Sequence, residues 1–149
     1  MTQHLSRRAL AALSLLFPDL ARAEGQRQNL TRGLAIQGYD PVAYFTEGRA
    51  RRGRYDIRTQ WNGATWRFAN AEHRRMFLAD PERYAPAFGG FCAYAVSEGY
   101  TATVDPTAFR IVEGRLFLNY SHAVQARWEE DRAARIQRGE ANWPGLSAR

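Results

Sequence analysis

Beyond its first residues the chain offers one thiol and two imidazoles: Cys92, His73 and His122. A thiolate with one or two imidazoles is a soft-to-borderline donor set, suited to copper or zinc rather than calcium or magnesium. A Cys–His pair could also serve nucleophilic chemistry, but no protease or transferase motif surrounds the cysteine. A single cysteine rules out an intrachain disulfide, a zinc site with two thiolates in a monomer, and a resolving partner for thiol exchange. No lysine occurs, which excludes Schiff-base catalysis. The chain also lacks a Gly-rich phosphate loop, a G-x-S-x-G elbow and an evident carboxylate pair. Binding is therefore a better expectation than catalysis.

Each candidate has a functional and a plainer meaning. Cys92 sits in FGGFCAYAVSEGYTA, residues 88–102. Two glycines ahead of it allow close backbone approach and leave N–H groups near a helix start, which favours a thiol as ligand or nucleophile. Between Phe91 and Ala93 it also reads as a small buried apolar residue. His122 follows Ser121 at a helix opening, where the positive helix end suits a neutral, metal-binding ring; the plainer reading is an exposed helix-start residue. His73 lies between Glu72 and Arg74 and reads as a solvated helix residue or a ligand. Asp40, just before Pro41, is a turn cap or a ligand for a hard cation. Tyr39, Tyr44, Tyr84, Tyr94 and Tyr100 are core material. Around the cysteine, Tyr39, Asp40, Tyr44 and Tyr94 could shape a ligand pocket.

The elements that must position these residues have clear punctuation. Ile57, Thr59 and Trp61 alternate before Asn62-Gly63, with Trp66 and Phe68 beyond, which predicts a hairpin. Asn70 caps a helix over Ala71–Ala79, ended by Asp80-Pro81. Gly89-Gly90 breaks the chain before a buried helix over residues 91–96. A second hairpin turns at Glu113-Gly114. Ser121 then caps a helix running to about Arg138, with Val124, Trp128 and Ile136 near one stripe. Trp143 covers the core and Pro144 stops the chain. Two hairpins and several helices without βαβ order predict an α+β domain.

Residues 65–86, TWRFANAEHRRMFLADPERYAP, give an aromatic strand, a capped helix, a second short helix and a tyrosine plug at Tyr84. Together with YDPVAYF at 39–45, this arrangement resembles the YHS domain, akin to the TRASH metal-binding domains. Complete members carry one cysteine in a DPVCGM segment and two in an aromatic-Phe-Cys-Ser-x-x-Cys segment. The corresponding positions here are Ala43, Ala69 and His73. The segment around Cys92 is similar to that of a long exported subgroup, and the resemblance covers about residues 36–146. It implies a bound transition metal, copper first and zinc second, held by Cys92 with help from His122 or His73. A protein partner or second copy would complete the site. With three thiols gone and the frame of Trp66, Phe68, Phe77 and Tyr84 kept, it also admits a metal-free module for a small ligand or protein.

The first 23 residues read as an export signal. Arg7-Arg8 precede an apolar run to Phe17, and Ala21-Arg22-Ala23 offers a small-x-small cleavage pattern, so a periplasmic location by the twin-arginine route is expected. That run is too short to span a bilayer, which takes roughly 20 residues. Residues 24–33 read as a flexible leader and 34–146 as one domain. Removing the signal lowers the formal charge of +6 by two. The remaining arginines are dispersed, and a nucleic-acid partner is not expected.

Overall fold

The computed structural model describes residues 27–149. The expected export signal lies outside them. The order is β1 (Leu30–Thr31), β2 (Leu34–Ala35), a 3-10 turn at Ile36–Gly38, α1 (Ala43–Thr46), β3 (Arg54–Trp61) and β4 (Ala64–Phe68). Then come α2 (Ala71–Ala79), α3 (Pro81–Tyr84), a 3-10 turn at Ala87–Gly90, and α4 (Ala93–Ser97). The hairpin β5 (Asp105–Val112) and β6 (Arg115–Asn119) leads to α5 (His122–Glu130) and α6 (Arg132–Ser147). The domain is α+β: a four-stranded sheet ordered β1-β2-β4-β3 and a separate β5–β6 ribbon, with the helices around them.

Both hairpins turn where the sequence signals them. Asn62-Gly63 and Glu113-Gly114 take positive φ at both central positions, the backbone twist that suits a two-residue hairpin. In β4, Ala64, Trp66 and Phe68 alternate inward and are buried. Trp66 packs against Phe77 of α2 at 4.9 Å between ring centroids, and Phe68 against the same ring at 5.3 Å. Asn70 caps α2 by accepting the His73 N–H, and Pro81 opens α3 at its first turn. A second apolar cluster joins Phe88, Phe91, Phe117, Trp128 and Trp143.

Three expectations change. The polar leader is tied down from residue 27 onward: Leu30–Thr31 pairs antiparallel with β2, and the Asn29 N–H donates to the Gly89 carbonyl at 2.8 Å. The C-terminal segment forms two helices, because the chain leaves helical geometry at Asp131. Pro144 does not stop the chain; it lies inside α6, which continues to Ser147. Its neighbour Trp143 does cover the core, between Phe88 and Phe91 at 6.1 Å from each ring.

Gly89 is required by two separate constraints. Its φ is +60°, and a Cβ there would lie 2.0 Å from the Arg27 carbonyl oxygen. Gly89→Ala should therefore cost at least about 2 kcal/mol in urea unfolding. Gly145 sits in α6 with open space where a Cβ would be. Gly145→Ala should stabilise by up to about 1 kcal/mol in the same assay.

Candidate functional site

The most constrained polar group is the Asp40 carboxylate, which is fully buried. One oxygen accepts the backbone N–H groups of Val42 at 2.8 Å and Ala43 at 3.3 Å, closing the turn before α1. The other accepts the Ala69 N–H at 2.8 Å, where β4 passes into α2, and the His73 Nδ1–H at 2.6 Å. His73 Nε2 then meets the Thr46 hydroxyl at 3.3 Å. His73 is only 7% exposed, so it is not the solvated helix residue its charged neighbours suggest. The capping role expected of Asp40 is present, and the same side chain also pairs with an imidazole.

Ala43, Ala69 and His73 are the positions where the resemblance would place thiols. All three converge on Asp40: two through backbone N–H groups, one through its ring. Two alanines provide no donor atoms, and both His73 ring nitrogens are engaged. The residues present at this locus therefore do not fit a metal ion. Among the described residues no group of three or more His, Cys, Asp and Glu side chains comes together to hold one.

Cys92 lies elsewhere, just ahead of α4. It is 1% exposed, yet it is not sealed in hydrocarbon. The Tyr120 N–H donates to its sulfur at 3.3 Å, and its S–H points to Asn119 Oδ1 at 3.6 Å. The same Asn119 oxygen takes the Tyr94 N–H at 3.1 Å, while Asn119 Nδ2 is buried without a partner among the described residues. Beside the sulfur opens a cavity of about 280 Å³, whose wall includes Cys92, Tyr94, Tyr100, Tyr120, Val124 and Arg127. Two small alanines, Ala95 and Ala102, make room for it. Ser121 caps α5 by accepting the Val124 N–H, which orients the wall. Val124 and Arg127, three apart on α5, face the cavity together.

His122 is exposed at the start of α5. Its Nε2 meets the Thr107 hydroxyl at 2.9 Å, and that hydroxyl donates to Asp105 at 2.7 Å. The Thr107 hydroxyl, with the Thr107 N–H second, holds the Asp105 carboxyl below its usual range.

The structure thus separates the sequence candidates. Cys92, His73 and His122 have different polar partners, and no imidazole is among the described residues lining the cavity beside Cys92. Of the residues expected to shape a pocket, only Tyr94 lines it. Asp40 and Tyr44 are core residues, and Tyr39 lies beneath the Arg52 guanidinium. Burial pushes the Tyr44 phenol far above its ordinary value, so it stays protonated and donates to the Pro106 carbonyl at 2.6 Å. Tyr100, expected in the core, stands at the cavity mouth and is 52% exposed. Sequence reasoning missed Asn119, Tyr120 and Arg127. Asn119 carried a signal, as the polar residue ending the apolar run Leu116-Phe117-Leu118; Arg127 carried none among so many arginines.

Compared with known proteins, the chain matches no family model, no curated sequence and no solved structure.

Removing the buried carboxylate strands three backbone N–H groups and an imidazole. Asp40→Ala should cost about 3–5 kcal/mol in denaturant unfolding, whereas loss of an exposed ion pair such as Arg54–Asp56, in Asp56→Ala, should leave the unfolding midpoint nearly unchanged. Because the folded Asp105 carboxyl is depressed, its contact with Thr107 stabilises the fold above the ordinary carboxylate range and is lost as pH falls through the depressed value. Thr107→Val should raise the Asp105 midpoint in an NMR titration towards the ordinary ~3.9.

Proposed function

We propose that this chain is an exported YHS-like binding domain whose site is the cavity beside Cys92, and that it binds a small ligand without a resident metal. The observation that carries this reading is the cavity itself: about 280 Å³, near the lower end of the size range of small-molecule sites, with three tyrosines in its wall. Support for the resemblance comes from the aromatic frame, since Trp66, Phe68, Phe77 and Tyr84 are all buried together as a YHS-like scaffold would need. At the position of the family's thiols, Asp40 supplies the cross-link between the two segments that a metal would otherwise join.

One observation favours a second reading, in which a copper or zinc ion binds at Cys92 and a protein partner or second copy completes its shell. The sulfur lines the cavity and accepts an N–H bond, so a soft ion entering there would meet a donor. The export signal and periplasmic location belong to both readings.

Titration of Cu(I) and Zn(II) into wild type and Cys92→Ser, beside a screen of small aromatic compounds followed by amide NMR shifts, separates them. The binding-module reading expects weak metal binding that Cys92→Ser leaves unchanged. It also expects ligand-induced shifts at Tyr94, Ala102 and Tyr120 that Val124→Phe suppresses by narrowing the cavity. Tight metal binding lost in Cys92→Ser would establish the second reading instead.

A further inference from the structure

The wall of the Cys92 cavity has a polarity that selects among ligand classes. Its lining includes the small apolar residues Ala95, Ala102 and Val124 together with the thiol. At its mouth Tyr100 and Tyr120 leave 52% and 56% of their surfaces exposed, two large rings with free area to cover. Arg127 is the one charged residue among the described residues that line the cavity, and it is exposed on α5. It has no hydrogen bond, ion pair or ring contact among the described residues, although Arg110, Arg132 and Arg135 on neighbouring segments are all paired with carboxylates. A guanidinium beside an aromatic mouth is a ready partner for a planar carboxylate.

The same wall disfavours a cation. Three tyrosines can form a cage for an ammonium group, but here Arg127 would repel it. Tyr94 cannot contribute freely either, because the Arg135 guanidinium already lies 4.1 Å from its ring centroid. Arg135 is itself fixed there by Glu98 at 2.7 Å and Asp131 at 2.8 Å. A neutral aromatic would fill the apolar part and leave Arg127 unused. The volume of about 280 Å³ limits the ligand to a single ring with a short acid arm.

Resting on the binding-module reading above, we infer that the Cys92 cavity takes a small aromatic carboxylate, its ring against Tyr100 and Tyr120 and its carboxylate on Arg127. Specificity for the anion then resides in one exposed side chain that the fold does not need. Arg127→Gln is consequently a safe variant for testing it.

Phenylacetate, phenylacetamide and phenethylamine share a ring and differ in charge. Each is titrated into the purified full chain and into Arg127→Gln, following amide shifts at Tyr94, Ala102 and Tyr120. The expected result is that phenylacetate binds about tenfold more tightly than phenylacetamide at low salt, and the amine most weakly of the three. That preference should shrink as salt rises and vanish in Arg127→Gln, where phenylacetate affinity falls to that of phenylacetamide. Equal affinities of acid and amide, or an acid preference surviving in Arg127→Gln, would overturn the anion assignment while leaving the cavity as a ligand site. No shifts at the cavity with any of the three compounds would remove the anion assignment and the small-ligand reading together.

Discussion

A single buried carboxylate holds the first half of this domain in register. Asp40 gathers two N–H groups from its own turn, one from the end of β4 and one from an imidazole in α2. The last two cross 29 and 33 residues of sequence, so they carry tertiary information. A buried charge is tolerated only when its lone pairs are satisfied, and Asp40 meets that condition with four donors. Once it is satisfied, the start of α2 cannot slide along β4. The aromatic stack of Trp66, Phe68 and Phe77 then closes over a fixed frame.

The second half is built on a different economy of polar groups. Asn119 ends a buried strand and turns its amide oxygen to the Tyr94 N–H and the Cys92 thiol. The next residue, Tyr120, returns an N–H to that sulfur. This small exchange binds the start of α4 to the β6–α5 junction, and the cavity lies against that seam. The thiol therefore fills space in the apolar cluster and also lines the cavity.

Arginine chemistry gives the surface its character. In the absence of lysine, every side-chain cation other than histidine is a planar fork that can pair with carboxylates and stack on rings at once. Arg135 does both, joining Ser97, Glu98 and Asp131 while covering Tyr94. Arg52 and Arg58 likewise cover Tyr39 and Tyr55. Seven of the eighteen described arginines lie over the domain's own aromatic rings, and others pair with carboxylates.

Much of the fold was legible in the chain because its signals are local. Asn62-Gly63 and Glu113-Gly114 specify tight turns through the positive φ they tolerate, and both hairpins form there. Asn70 and Ser121 cap the helices expected of them, since a side-chain acceptor beside a free helix N–H needs no distant partner. Local signals failed where distant contacts compete. Pro144 lies inside a helix, and Leu30–Thr31 of the polar leader pair with β2, with Gly89 leaving room for the nearby Arg27 carbonyl. The site shows the same division. Which residue types could act (one thiol, two imidazoles, a set of tyrosines and arginines) was determined by the sequence alone. That His73 is consumed by Asp40, that Cys92 lines a cavity with no imidazole among its described lining residues, and that Arg127 has no partner among the described residues were decided only by tertiary structure. Each depends on which segments meet across long sequence separations, and neither periodicity nor capping chemistry encodes those meetings.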